Sequence, residues 1–401
     1  MKRKLAMILA LALSLSLVSC GKKEQPAPAA SNAEDVKDPY SIGVAVPLTG
    51  AGSSAGKMEV VGITMAVNEI NAAGGVNGRE LSINLVDTAG DPKESANAVR
   101  KLTSENVMAI VGPHYSGEAE VTYPIGDELK VVQIALACSK PDISDGYVFG
   151  FRNVAAEDQI SAAVLPKWVE DNNIKTVAII TDIKVSVAKS LGEDVYPPIF
   201  KDLGVEVLTL DDPITYQSGD VDFSAQITKA KALGADGIAL GSLAGDALNI
   251  IAEAREQGLT QSSVGAAPML EGELEKKGGE DVQGTYSGSV FCLTSEDPKV
   301  KDFIAKYREL APTMYKEVSS DPLHYCANAY DAVYMLAQAI EELDLTGSKD
   351  TLEADRTAIK DYLADLKDFE GIDSRGFDET HTGIKDIFVL KIEGDQWVEA
   401  K

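Results

Sequence analysis

The sequence predicts an α/β protein made of two similar lobes, each a parallel sheet flanked by helices, with three segments crossing between them. From residue 40 onward, short apolar runs alternate with longer amphipathic segments, which is typical of parallel strands joined by covering helices. A second series of the same kind begins after residue 157. The roughly 360 residues concerned, in a chain that is 45% hydrophobic, exceed one typical core of about 250–300 residues. We therefore expect two lobes.

The first lobe opens with strands and helices in alternation. Apolar residues recur at helical spacing along one face of the first helix, which ends at Gly74-Gly75. These residues are Val60, Ile63, Val67 and Ile70. The predicted strands are 42–46, 81–86 and 107–111, and the predicted helices are 56–73 and 93–106.

The loop after the third strand is the strongest candidate for a ligand site. Gly112-Pro113 ends the strand, and Ser116 is placed to cap a helix that begins near Gly117. Unpaired backbone N–H groups at such a helix start favour an anion, such as a carboxylate. The run 131–139 repeats this arrangement and ends in small and hydroxyl residues. Since ligands of parallel sheets lie at the carboxyl ends of the strands, we expect loops 47–55, 112–116 and 135–140 to hold the polar end of a small molecule.

The second lobe repeats this construction. Pro197-Pro198 interrupts or bends its helix 187–203, and Gly394-Asp395 turns a final hairpin of 387–391 and 396–399. A further helix, 327–343, has a buried stripe of Ala329, Val333, Leu336 and Ile340. The other predicted elements are 176–180, 205–210, 223–233, 237–240 and 247–257. The predicted domains are a signal peptide 1–20, a tether 21–39, a first lobe 40–156 plus 292–370, and a second lobe 157–291 plus 371–401.

The first 39 residues predict export and anchoring. Lys2, Arg3 and Lys4 precede an apolar run, 5–18, which is short for a permanent membrane anchor. The following residues, 17–21, resemble the lipobox of bacterial lipoproteins, so Cys20 is the predicted lipidation site. Residues 22–39 have few large apolar side chains and predict a flexible tether. The body is then held at the extracytoplasmic face of a membrane by lipid alone.

Charge and composition exclude several other classes of site. The formal net charge is −26, and removal of Lys2, Arg3 and Lys4 makes it −29, which argues against nucleic acid or anionic lipid as a partner. The histidines are scattered, so a zinc site has little support, and His114 is predicted to be a surface-loop residue. Beyond Cys20 three cysteines remain, so at most one internal disulfide can form, and we consider Cys292 with Cys326 for it.

Six short motifs together resemble the type I periplasmic binding proteins of the leucine/isoleucine/valine class, which are the receptors of ABC importers. The resemblance runs from about residue 41 to the C-terminus and implies a two-lobed binding protein without enzymatic activity or cofactor. It also implies a small-molecule ligand, an ABC permease as partner and a monomeric state. The motifs are 46–50, 68–78, 91–93, 222–224, 329–332 and 376–378.

The resemblance also assigns site residues. Members that bind amino acids hold the α-carboxylate near positions that match Ser116, with Gly117, and the loop of Leu136, Ala137 and Cys138. The matching lid aromatic is Tyr325, and Ser53 and Ser54 lie in the first loop. The chain departs from the family where aromatic residues are expected, at Ala55, Ser186 and Leu243, and where an acid receives the ammonium, at Ala267. The second-lobe loops at Ser186, Leu243 and Ala267 are still expected to cover the ligand. The missing rings predict a wider pocket.

The missing acid leaves the ligand class open. A buried ammonium needs an acceptor or an anion, and Asp158, Asp246 or Glu271 could supply one. A structural role is the favoured interpretation of two of them: a cap on a crossing segment for Asp158, and a charge at a helix start for Asp246. We expect a hydrophobic or aromatic amino acid first, with a larger carboxylate or amide that lacks an ammonium as the alternative.

Rival functions have weaker support. Residues 50–55 match the dinucleotide pattern Gly-x-Gly-x-x-Ala, with Asp87 near a ribose position, but the preceding 47–49 lengthen the loop beyond the usual turn. The serine of 241–245 stands one place early for a hydrolase elbow. A sensory receptor domain of the same fold, working with a partner sensor, remains the more serious alternative.

Overall fold

The first sheet of the computed structural model, which describes residues 38–401, consists of five parallel strands. Its order is β2-β1-β3-β4-β5. The strands are β1 Tyr40–Val46, β2 Leu81–Asp87, β3 Ile110–Val111, β4 Gln133–Ala135 and β5 Gly150–Arg152. The helices between them are α1 Ser53–Ala72, α2 Pro92–Ser104 and α3 Ser116–Leu129. The predicted signal peptide, Cys20 and all but the last two residues of the tether lie outside the described residues.

The second sheet has eight strands and is mixed. Its main path is β15-β14-β11-β10-β9-β6-β7, and β8 also pairs with β6. The strands are β6 Thr176–Asp182, β7 Glu206–Val207, β8 Ile214–Tyr216, β9 Gly237–Gly241, β10 Ser262–Gly265 and β11 Tyr286–Ser289, then the separate pair β12 Ser374–Phe377 and β13 Gly383–Lys385, and finally β14 Phe388–Glu393 and β15 Gln396–Glu399. The strands β6 to β11 of this sheet pair in parallel, as expected, and the predicted final hairpin extends the sheet antiparallel, which makes it mixed.

Helices cover both sheets and fill the connections. They are α4 Glu157–Asn172, α5 Ser186–Ser190, α6 Tyr196–Asp202, α7 Ser224–Leu233, α8 Ala244–Glu256, α9 Leu274–Lys277, α10 Pro298–Met314, α11 His324–Glu342 and α12 Leu352–Asp365. A π-helical turn, Leu191–Val195, separates α5 from α6 just before Pro197-Pro198, since proline has no N–H to continue the α-helical ladder. Within residues 38–401, every helix is too short or too polar to span a bilayer.

The two predicted helix stripes form the core of the first sheet. The side chains of α1 and α11 pack together against its strands, and the stripe residues of both helices are at most 8% exposed. Separate clusters cover the second sheet, one around Trp168 and Phe200 and another around Ile227 and Ile250. These packed clusters hold the carboxyl edges of both sheets in place.

The chain passes between the two sheets three times. It leaves the first sheet after β5, returns after β11 to form α10 to α12, and leaves again through β12 and β13. Asn153 and Ser374, on two of these passages, are joined by a hydrogen bond of 2.8 Å. The lobe boundaries at residues 156, 291 and 370 stay a prediction.

The described cysteines are not paired. Cys138, Cys292 and Cys326 are buried free thiols, so the disulfide between Cys292 and Cys326 is not formed. Cys292 Sγ instead lies 3.2 Å from Thr294 Oγ1.

Candidate ligand-binding site

Ser116 lies at the carboxyl edge of the first sheet as the first residue of α3. The prediction that it caps this helix is wrong, because Tyr115 occupies the cap position and donates its backbone N–H to the Glu118 carboxylate at 2.8 Å. The Ser116 hydroxyl accepts a hydrogen bond from the Lys140 N–H at 3.3 Å. Ser116 itself is buried, but the adjacent Gly117 has open space where a Cβ would stand. A small group can therefore approach the helix start at Gly117.

Glu157 is a fully buried carboxylate. It begins α4, is 0% exposed, and donates its backbone N–H to the Ser139 carbonyl at 2.8 Å. The Ser139 hydroxyl and the Ala267 N–H face the carboxylate, yet neither carboxylate oxygen has a hydrogen-bond partner among the described residues. Burial raises the pKa of Glu157 to about 8, although Ser139, Ala267 and Arg152 partly oppose this.

The loops that surround Ser116 and Glu157 follow strands of both sheets. Ser139 and Lys140 follow β4 of the first sheet and connect the two residues, since Ser139 contacts Glu157 and Lys140 contacts Ser116. Ala267 follows β10 of the second sheet. A helix start, two hydroxyls and a carboxylate are thus linked through one loop at the carboxyl ends of the strands, which is the usual position of a ligand in open parallel sheets.

The remaining predicted residues of the first loops and crossings have different surroundings. Leu136 and Cys138 are 0% exposed, and their neighbours are core residues. Ala137 is half-buried and Asp158 is exposed. Asp158 therefore points away from the buried face on which Glu157 lies.

A separate cavity of about 780 Å³ opens beside these loops. Of the predicted residues, Ser54, Leu243 and Tyr325 line it, as do Asp246 and Glu271. Ala55 also lines it, so the position without an aromatic ring does contribute to the wall. The other predicted site residues are not part of its lining: Ser53, Ser116, Gly117, Leu136, Ala137, Cys138, Asp158, Ser186 and Ala267.

A buried charge cluster lies behind the cavity wall. His114 Nδ1 is 2.7 Å from Glu59 Oε1, and His114 Nε2 is 3.7 Å from Glu271 Oε1. Both Glu59 and His114 are 0% exposed, so the prediction of a surface-loop histidine is wrong. Burial disfavours the imidazolium, but Glu59 and Glu271 outweigh it and raise the pKa of His114 well above its ordinary value. Glu271 follows β10 of the second sheet, whereas Glu59 lies on α1 and His114 follows β3 of the first sheet, so the cluster links the two halves.

Ser186 forms a second link. The Ser186 hydroxyl, at the start of α5, donates a hydrogen bond to Glu120 Oε1 of α3 at 2.6 Å. Glu120 also forms an ion pair with Lys140. The predicted role of Ser186 as a residue covering the ligand stays a prediction, but it does lie at a contact between the halves.

Sequence reasoning missed Glu157 and selected its neighbour Asp158. The signal was available in the helical spacing, because Glu157, Ile160, Ser161 and Val164 recur on one face of α4 and all are buried. Ser139 lies inside the predicted loop 135–140, but the family resemblance assigned only Leu136, Ala137 and Cys138 within that loop.

Comparison with known proteins agrees with the resemblance predicted from the sequence. A family model described as "Periplasmic binding protein" matches residues 39–396. A leucine-, isoleucine-, valine-, threonine-, and alanine-binding protein of Pseudomonas aeruginosa is 27% identical over 308 residues, which are 76% of this chain and 79% of that protein.

Solved structures share the fold. A leucine binding protein from Thermotoga maritima has a TM-score of 0.77 at 27% identity, with 90% of this chain and 98% of that chain covered. The branched-chain amino acid transporter substrate binding protein of Streptococcus pneumoniae, in complex with isoleucine, has a TM-score of 0.76 with the same identity and coverage. The predicted type I periplasmic binding fold is confirmed.

Proposed function

Because the chain belongs to the periplasmic binding protein family, we propose that it captures a small carboxylate-bearing ligand and delivers it to an ABC permease. The family is a class of ligand-binding proteins without enzymatic activity, and its homologues work outside the cytoplasm. The relatives named for leucine, isoleucine and valine support a hydrophobic or aromatic amino acid as the ligand.

One observation carries this proposal: the start of α3 is open at Gly117, between the carboxyl ends of the two sheets. The first N–H groups of an α-helix have no partner within the helix, and the positive end of the helix dipole favours an anion. The Ser116 hydroxyl can donate to a carboxylate while it accepts from Lys140 N–H. The ligand carboxylate binds here, and loops of the second half close over it.

Closure of the two halves completes the capture. The Ser186–Glu120 hydrogen bond and the approach of Glu271 to His114 join elements of different sheets. The second half rotates about the three passages of the chain, and ligand shifts the equilibrium only as far as it prefers the closed form. The permease then recognises the closed protein. Signalling through a partner sensor is the alternative use of the same closure.

The anchor completes the proposed function. Lipid on Cys20 holds a monomeric binding protein near its permease, and the tether gives it reach. Radiolabelled fatty acid should enter the full chain, and Cys20→Ser should release it from the membrane. Labelling that persists in Cys20→Ser would contradict this assignment.

A second ligand class is favoured by a specific feature. The positions at Ala55, Ser186 and Leu243 carry no aromatic ring, and the neighbouring cavity of about 780 Å³ is larger than a branched-chain amino acid requires. A larger carboxylate or amide without an ammonium is therefore the alternative.

Calorimetric titration separates these ligand classes. The purified protein, after unfolding and refolding to release carried ligand, is titrated with leucine, isoleucine and phenylalanine and with larger aromatic carboxylates. We expect saturable binding of at least one amino acid. Failure of every amino acid at about millimolar concentration, which corresponds to only about 4 kcal/mol, would end the amino acid assignment.

A further inference from the structure

We propose that Glu157 receives the ammonium group of the ligand, so that the protein selects α-amino acids over acids of the same shape that lack the amine. This inference rests on the proposed capture of a carboxylate at the start of α3. It assigns a specificity-determining role to a residue that neither the family pattern nor the sequence had singled out.

The first observation is that no cation pairs with the Glu157 carboxylate among the described residues, and only the Ser139 hydroxyl and the Ala267 N–H face it. An ionised carboxylate removed from water is strongly destabilising unless a cation or several donors compensate it. Glu157 is 0% exposed, and both its carboxylate oxygens lack a hydrogen-bond partner among the described residues. Such a group is compensated either by a proton or by an arriving cation.

The second observation is that the neighbouring cation, Arg152, donates its hydrogen bonds to groups other than Glu157. The Arg152 guanidinium donates from Nε to Thr382 Oγ1 at 2.8 Å and from a terminal nitrogen to the Lys140 carbonyl. It therefore holds the neighbouring loops in place and does not pair with Glu157.

The third observation is position. Glu157 faces the Ser139 hydroxyl of the first sheet and the Ala267 N–H of the second. Ser139 is adjacent to Lys140, whose N–H binds Ser116, so the acid and the proposed carboxylate site share one loop. The carboxylate and ammonium of an α-amino acid are attached to the same carbon and need such neighbouring sites.

The other acids fit this role less well. Asp158 is exposed, and Glu271 already lies 3.7 Å from His114 Nε2. Asp246 is only partly buried and lines the larger cavity away from Ser116. Glu157 is the fully buried acid among these candidates.

A proton should leave when the ligand binds. Burial raises the pKa of Glu157 to about 8, so near neutral pH the empty protein carries a protonated acid. The charged or titratable groups around it are Arg152 of β5, Asp158 of its own helix and Tyr196 of α6. Since only the ionised form pairs with an ammonium, affinity for an amino acid should rise by up to about tenfold per pH unit below about pH 8.

The test compares amines with their deaminated counterparts. Leucine is paired with 4-methylpentanoate, and phenylalanine with 3-phenylpropanoate, in calorimetry of the wild-type protein, Glu157→Gln and the matched control Asp158→Asn. Titrations in two buffers of different ionisation enthalpy count the protons released. Circular dichroism checks that each variant is folded.

For the wild-type protein we expect tighter binding of the amino acids, with close to one proton released. Glu157→Gln should lose at least about tenfold for the amino acids and less than about twofold for the deaminated acids, with no proton released. Asp158→Asn should keep the wild-type preference for amino acids over the deaminated acids. Because this change removes a charge that helps raise the pKa of Glu157, its proton release should be no larger than that of the wild type.

Any one of the following results would overturn the proposal. One is a Glu157→Gln variant that keeps both its amino-acid affinity and its proton release. Another is a wild-type protein that binds deaminated acids as tightly as amino acids, which would leave carboxylate capture standing. If the wild type binds neither group, both proposals fall. Should Glu157→Gln not fold, the proton count of the wild type decides alone, since binding without proton release contradicts the role of Glu157.

Discussion

The buried Glu59–His114 pair allows a direct test of how charge is held inside the first lobe. We consider Glu59→Leu, His114→Leu and the double variant. Each single change removes one partner of a contact of 2.7 Å between two side chains that are both 0% exposed. The group left behind has no access to water. Glu271, at 3.7 Å and 18% exposed, compensates His114 only partly in Glu59→Leu.

The expected magnitude follows from this burial. Breaking a buried ion pair by removing one partner costs about 3–5 kcal/mol of unfolding free energy, because a desolvated charge stays uncompensated. Replacing both partners with apolar residues of similar volume is often close to neutral. We therefore expect each single variant to lose about 3–5 kcal/mol, and the double variant to lose less than either single variant.

The assay is equilibrium unfolding in guanidinium chloride, followed by circular dichroism. A double variant whose loss equals the sum of the two single losses would refute the reasoning, since the two residues would then not be coupled.

The dependence of the unfolding free energy on pH tests whether His114 is charged in the folded protein. Because Glu59 and Glu271 raise the pKa of His114, its stabilisation is fully present below the unfolded pKa of about 6.5 and is lost as pH rises through the folded value. The stability advantage of the wild type over the double variant should therefore shrink from about pH 6 towards higher pH. An advantage that grows with pH would contradict an imidazolium at this position.

Three further predictions concern the proposed site and its surroundings. Ser116→Ala should weaken carboxylate binding by about 1.5–3 kcal/mol in calorimetry, and unchanged affinity would contradict the position of the anion site. Tyr325→Ala should lower the unfolding free energy by about 3–5 kcal/mol, whereas Tyr325→Phe should stay close to wild type, because the hydroxyl donates only to Met58 Sδ at 3.5 Å. If Tyr325→Phe and Tyr325→Ala lose the same unfolding free energy in thermal or denaturant unfolding, the hydroxyl and not the ring stabilises the fold. Ser186→Ala should reduce ligand affinity by about 0.5–1.5 kcal/mol, because the hydrogen bond to Glu120 is lost. An unchanged affinity in calorimetric titration would show that this hydrogen bond does not stabilise the closed form.

Sequence periodicity was sufficient for the elements that form the core. The stripe residues of α1 and α11 are buried as predicted, because a helix that packs against a sheet must place apolar residues at every third or fourth position. The ends of the helices were harder to predict from the sequence. The helix predicted for 187–203 is three segments, since a π-helical turn depends on local hydrogen bonding that apolar spacing does not encode.

The polar interior could not be predicted in the same way. His114 has the sequence context of an exposed loop, and its burial follows from Glu59, which is 55 residues earlier in the chain. Likewise, Ser116 was expected at the cap, but the Glu118 carboxylate binds the Tyr115 N–H and sets the helix start one residue sooner. Both outcomes depend on which polar groups contact one another in the folded protein.

Glu157 and Asp158 show what decides a site residue when two acids stand side by side. Successive residues on a helix point about 100° apart, so only one of the two can face the interior. Ile160 and Val164 fix the buried face of α4, and that face includes Glu157. The resemblance predicts the family's acid at Ala267, and Ala267 is the residue whose N–H faces Glu157. An acid supplied by α4 can therefore stand where an acid after β10 is absent, and this replacement leaves the amino acid assignment chemically consistent despite the departure from the family pattern.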